Sequence, residues 1–221
     1  MVRRGIAYLD PAVPGFGGRM WRLARWGLLA AALALLGVGY LLSRLPQVRY
    51  WWGVTQLEAG FPLAAARTAR AVIDEGQADT TYEFYRLLAA GQRRGGQIAA
   101  QLDTFDQAAL RFKDDWRAQG HRCWYGALFG DGERVMDSCD RAVALGPPDR
   151  GEPLAWRAVA RSLAGNRAAA VEDLTAAMER WDGGSQWGTP YVERRRDWLR
   201  RLKAGEDPFD EAMLARERRR F

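Results

Sequence analysis

The sequence predicts an all-α protein: one membrane-spanning helix near the N-terminus, then a solenoid of stacked helical hairpins, closed by a pair of capping helices. Three observations carry this. The 18 residues from Trp26 to Ser43 contain no charge. Beyond Pro46, apolar residues recur with helical period almost to the C-terminus. Glycines at 60, 95, 130 and 165 recur every 35 residues, each between two amphipathic stretches, and a fixed period of that length signals stacked repeats. The chain divides accordingly into a cytoplasmic flexible arm (1–20), a transmembrane anchor (21–46), helical repeats (47–182) and capping helices with a basic tail (183–221).

The arm explains the charge. Residues 1–43 hold five Arg and one Asp, a net of +4, whereas the remaining chain holds 28 basic and 26 acidic residues, a net of +2. A short basic arm is not the one-sided footprint of a nucleic-acid binder, and no nucleic-acid partner is expected. Only two of the 33 basic residues are Lys, which reads as compositional bias. The stretch "PGFGG" at 14–18 has no strand before it, so it reads as a linker and not a phosphate loop.

As a helix, the Trp26–Ser43 run spans about 27 Å, close to the roughly 30 Å hydrocarbon core of a bilayer. Trp26 and Tyr40 sit near its ends, where amphipathic aromatics settle at the membrane interface. Two other readings of such a run fit less well. A cleaved leader would need a shorter run and a small-residue site after it, and a core helix would need a polar face. Arg3, Arg4, Arg19, Arg22 and Arg25 precede the run, and only Arg44 and Arg49 follow it closely. That bias keeps the N-terminus in the cytoplasm and puts the head outside. Gly27, Gly37 and Gly39 leave open whether the anchor is a tether or packs against other subunits.

The repeats place small residues at fixed offsets from the turn glycines. Seven before stand Gly53, Leu88, Cys123 and Ala158; five after, Ala65, Ala100, Val135 and Ala170; twelve after, Val72, Gln107, Ala142 and Ala177. Small residues let the helices of a hairpin, and successive hairpins, approach closely. Leu88 and Gln107 break the pattern, both in the second repeat. There the second helix, with Ile98, Leu102, Phe105, Phe112 and Trp116, looks overlong.

"GDGERVMDSCDRAVALGP", with Ala142, Leu145 and Pro147, and "LAWRAVARSLAGNRAAAVEDLTAAMERW", with Asn166 as an N-cap, resemble the tetratricopeptide repeat (TPR) family. "WWGVTQLEAGFPLAAARTARAVIDEG" is a fair match, and the resemblance spans residues 48–182. It implies stacked helical hairpins and a protein partner. It does not imply a particular function.

In the C-terminal piece, Pro190 opens a helix with Tyr191, Trp198 and Leu202 on one face, stopped at Gly205. "EDPFDEAMLARER" then places Asp207 as N-cap and Pro208 at the first helical position. "WLRRLKAGEDPFDEAML" is similar to the closing segment of bacterial TPR proteins with a paired cysteine repeat, and a solenoid needs such a cap.

Cys123 and Cys139 lie seven before and nine after Gly130, so antiparallel helices bring them level on touching faces. Both positions take small side chains, and their Cα atoms can approach to the 4.4–6.8 Å of a disulfide. A head outside the cytoplasm permits the bond, and the resemblance points the same way. In the cytoplasm they would be two small thiols. In folds of this kind the first helix of each hairpin lines the concave face, at two, three, six and ten residues before the turn glycine. Tyr82, Tyr85, Gln92, Arg93 and Trp124 are the contact-capable candidates.

Catalytic constellations are missing. The single His121 reads as a polar turn residue beside Gly120, and one His with two Cys makes no zinc site of usual spacing. Asp114–Asp115 and Glu172–Asp173 read as solvated acidic pairs. The expectation is a membrane-anchored scaffold without catalytic residues, cofactor or metal, binding a partner protein through its head. The alternatives are an accessory subunit of a membrane complex, or an enzyme with an unrecognised site.

Overall fold

In a computed structural model, the protein is described at residues 26, 37–39, 41, 44–76, 81–182 and 189–220. The described residues form ten helices: α1 (Pro46–Glu58), α2 (Pro62–Asp74), α3 (Tyr82–Arg94), α4 (Ile98–Arg111), α5 (Trp116–Leu128), α6 (Met136–Leu145), α7 (Glu152–Leu163), α8 (Arg167–Asp182), α9 (Thr189–Lys203) and α10 (Glu211–Arg220). The chain divides into two compact units, 1–48 and 49–221. In the first, Trp26, Gly37 and Gly39 are helical and exposed. Gly27, Tyr40 and most of the apolar run lie outside the described residues, and among those described no helix is long and apolar enough to cross a membrane.

In the second unit, α1/α2, α3/α4, α5/α6 and α7/α8 form four antiparallel hairpins. Three of the turn glycines behave as the 35-residue period requires: Gly60, Gly130 and Gly165 have φ of +83°, +96° and +83°, a left-handed conformation open to glycine. The second hairpin differs by one residue. Gly95 has φ −85° and caps α3, while Gly96 takes the left-handed turn at +76°. Gly95 is glycine for another reason, because a Cβ there would lie 2.4 Å from Leu63 Cδ2.

This single shift repairs both breaks in the repeat. Counted from Gly96, the position seven before is Ala89 and the position twelve after is Ala108, both 0% exposed. Leu88 and Gln107 do not occupy those places. Five after is Gln101, buried where the other hairpins carry Ala65, Val135 and Ala170. The second helix is not overlong: α4 stops at Arg111 and Trp116 opens α5, with Asp115 capping α5 by accepting from the Arg117 amide at 2.8 Å.

Cys123 and Cys139 form a disulfide, Cα–Cα 4.8 Å. It joins α5 to α6 at the offsets that carry small residues in every hairpin. Asn166 accepts from the Ala169 amide at 3.2 Å, as an N-cap does. Successive hairpins bring their backbones close at Gly91, where a Cβ would meet Pro62 O at 2.5 Å and Ala66 N at 2.9 Å.

Helix α9 buries Tyr191, Trp198 and Leu202 and packs along α8. The chain then turns at Gly205, φ +84°. Helix α10 begins later than the sequence suggests. Asp210 caps it, accepting from the Met213 amide at 2.8 Å, while Asp207 accepts from Phe209 N at 2.9 Å in the preceding loop. Pro208 and Phe209 are buried there instead of opening the helix. Helix α10 returns to α5, and Arg218 Nε donates to the Leu128 carbonyl at 2.7 Å.

Candidate functional site

The first helices of hairpins one and two line the open concave side. Counting three, six and ten back from Gly60 gives Leu57, Val54 and Tyr50. The same count from Gly96 gives Arg93, Ala90 and Arg86. All six border one cavity of about 290 Å³, closed below by Gln101, Phe105, His121 and Tyr125. In hairpins one and two the offsets three, six and ten meet the cavity, the offset two gives Glu58 and Arg94, which do not border it, and the left-handed glycine of hairpin two is Gly96, one residue later than the count assumed.

That displacement accounts for Tyr85 and Gln92, whereas Trp124, counted from the undisplaced Gly130, is corrected by burial alone. Tyr82, Tyr85, Gln92 and Trp124 are 2%, 5%, 5% and 2% exposed, so they face the core and offer no contact surface. Tyr85 packs edge-to-face on Phe112 at 5.5 Å. Gln92 accepts from Thr104 Oγ1 at 2.8 Å. The Trp124 ring lies 5.6 Å from the Arg195 guanidinium. Arg93 alone of the five lines the open cavity, and Arg86, Tyr50, Val54, Leu57 and Gln101 are the residues that sequence reasoning missed.

The cavity floor is aromatic, with Phe105 stacked on Tyr125 at 4.6 Å between ring centroids. Burial pushes the Tyr125 hydroxyl up to about 12, so it stays a neutral donor. His121 is not in a turn. It sits in mid-α5, and burial lowers it to about 3, leaving a neutral ring hydrogen-bonded through Nδ1 to the Tyr82 hydroxyl. A histidine held neutral within an aromatic cluster fills space and satisfies a buried phenol.

Polar groups face the same space. Arg86 is exposed and paired with Glu83 at 2.8 Å. Arg93 is half-buried, and burial lowers its affinity for the proton from the usual arginine value; Tyr125 and Arg94 are the charged or titratable groups that act on it, with no carboxylate among them. Gln101 is 1% exposed, and its amide oxygen has no hydrogen-bond partner among the described residues. A buried amide left unsatisfied costs about 1–3 kcal/mol, a cost carried beside this cavity.

On the other side of Arg86, His121 and Tyr125, a second cavity of about 160 Å³ is bordered by Trp116, Trp124, Trp156, Glu152 and Tyr191. Here the concave face is already filled by the chain itself. Arg195, 0% exposed, lies 3.7 Å from the Tyr191 ring centroid and 4.4 Å from that of Trp198, and pairs with buried Glu217 at 3.6 Å. The basic C-terminal segment is therefore not wholly a polar outer face. Asp173 is likewise not solvated: 3% exposed, it accepts from Arg157 at 2.7 and 2.9 Å and pairs with Arg161 at 3.0 Å.

Four helical hairpins around a concave groove, closed at the C-terminal end by an added helix pair, define a helical-repeat protein of the TPR-like class. Compared with known proteins, the chain matches no family model and no curated protein. It is similar in structure to a thermophilic TPR protein of Thermus thermophilus, with a TM-score of 0.53 and 19% identity over 83% of this chain and 94% of that one. At that identity the likeness shows the fold.

Proposed function

We propose that this protein is a membrane-anchored, non-enzymatic scaffold whose head takes a segment of a partner protein into the concave cavity of hairpins one to three. The observation that carries the reading is the cavity itself, bordered by Arg93 and by Gln101, whose amide oxygen has no hydrogen-bond partner among the described residues. Among the described residues no carboxylate acts on Arg93. The fitting segment carries an apolar side chain for the Val54–Phe105–Tyr125 floor and a carboxylate for Arg93, whose charge-assisted hydrogen bonds are the stronger kind. The TPR-like fold supports a protein partner over a small substrate.

The anchor is residues 21–46, and the positive-inside bias puts the head outside the cytoplasm. The Cys123–Cys139 pairing supports that placement, because disulfides persist in oxidising compartments. An alkaline phosphatase fusion at Phe221 is expected to be active; an inactive one beside an active cytoplasmic reporter reverses the topology.

For the groove, intact protein is recovered from mild detergent with its partner bound. Arg93→Ala with Gln101→Leu is expected to cut recovery about ten-fold, equivalent to roughly 1.4 kcal/mol, with the helical signal unchanged. Recovery equal to wild type would place the partner elsewhere.

A further inference from the structure

In hairpins two, three and four, the first helix turns the positions nine and twelve before its left-handed glycine toward the preceding hairpin. Leu87 and Phe84 are 4% and 3% exposed there, and Trp156 is 7%. The equivalent residues of hairpin one, Trp51 and Val48, have no hairpin before them and are 66% and 41% exposed, with neighbouring Trp52 at 59%. The stacking face of α1, a strip through Val48, Trp51, Trp52 and Thr55, thus leaves two indoles exposed and carries no charged residue between its ends.

We infer that this strip rests on the lipid surface, with both indoles in the headgroup layer. The inference depends on the anchor reading given above. Three residue steps separate Ser43 from the start of α1, about 10 Å when fully extended, and Trp51 lies about 8 Å further along the helix. Both indoles therefore lie no more than about 18 Å of chain from the end of the apolar run, a length that reaches the interface layer next to the anchor. Tryptophan favours that layer because its ring is apolar and its N–H needs a polar partner. A second copy fits the strip less well. Two indoles at these exposures offer on the order of 300 Å² per chain, against about 800 Å² per partner in a stable interface.

The test compares the full-length protein with its Trp51→Phe/Trp52→Phe variant, which removes two emitters and keeps the strip apolar. Both are reconstituted into phosphatidylcholine–phosphatidylglycerol vesicles carrying brominated acyl chains. Trp21, Trp26, Trp51 and Trp52 are the tryptophans within reach of the bilayer on this reading, so the variant is expected to lose about half of the lipid-quenched emission. An unchanged lipid-quenched signal overturns the inference. Acrylamide then says how: emission from the pair that acrylamide quenches means it faces water, and emission shielded from both quenchers means protein covers it. Alkaline extraction separates the two readings. A chain that stays in the membrane while the quenching is unchanged loses only the lipid contact, whereas a chain released by alkali loses the anchor and the contact together.

Discussion

At one position of the second helix, hairpins one and two carry a neutral pair, whereas hairpins three and four use an arginine; hairpin one also holds an ion pair between Arg49 and Glu75. The partner on the second helix always stands eight residues after the left-handed glycine: Thr68, Thr104, Ser138 and Asp173. In the first two hairpins it meets a glutamine amide, Gln56 and Gln92, at 2.8 Å in each. In the last two it meets Arg122 or Arg157. These arginines also reach back to the preceding hairpin, at Asp106 and Asp140. Charge in the C-terminal half serves to join hairpins, the disulfide adds a covalent tie there, and α9 with α10 fills the concave side. In the N-terminal half Arg93 borders an open cavity, and among the described residues no carboxylate acts on it. One repeat geometry thus yields a clamped half and a receptive half, and the difference lies in where the arginines fall along the first helix.

The largest effect is expected at the seam of the receptive half. Gly91→Ala sets a methyl against backbone atoms of α2 that cannot move aside singly. It should cost about 3 kcal/mol, or roughly 6–12 °C in Tm for a domain of this size. A Tm within a degree of wild type would show that the hairpins slide freely and that the N-terminal half is not tightly packed.

Next is the cystine. Replacing Cys123 and Cys139 together by Ala should lower stability by about 2–3 kcal/mol. Reductant should destabilise wild type by a similar amount and leave the variant unaffected. Alkylation of acid-quenched, denatured protein without reductant is expected to label no cysteine; two labels per chain would remove the covalent tie from the clamped half and weaken the case for a head outside the cytoplasm.

The two fastenings can then be weighed directly by urea unfolding. Asp173→Ala leaves Arg157 and Arg161 without their shared buried carboxylate and should cost about 2 kcal/mol. Thr104→Val removes one neutral hydrogen bond and should cost about 1 kcal/mol. Equal losses would erase the distinction between the halves. Arg93→Ala, the groove variant, should change stability by no more than about 0.5 kcal/mol, because it fastens nothing.

Much of this was legible in the sequence, and the limits have identifiable causes. Short-range rules settled what depends on neighbours in the chain: the helical period, the caps such as Asn166, the left-handed turns at Gly60, Gly130 and Gly165, and the level placement of the two cysteines. Gly95–Gly96 was ambiguous because both residues are glycine. Helix α3 runs to Arg94 with Gly95 as its C-cap, so Gly96 takes the left-handed turn, and that one-residue choice moved the groove from Tyr85 and Gln92 to Arg86 and Arg93.

The sequence by itself determined the all-α repeat, its approximate period and the level placement of its two cysteines, because amphipathic spacing and glycine conformation act over a few residues. Tertiary structure alone decided which polar groups go inside. Asp173 looked solvated until two arginines one helix away converged on it. Arg195 looked like part of a basic tail until three aromatic rings and Glu217 enclosed it. The filling of the C-terminal groove depends on Arg218 finding the Leu128 carbonyl 90 residues back. Burial of a charge is set by what surrounds it in space, and those surroundings come from segments far apart in the chain.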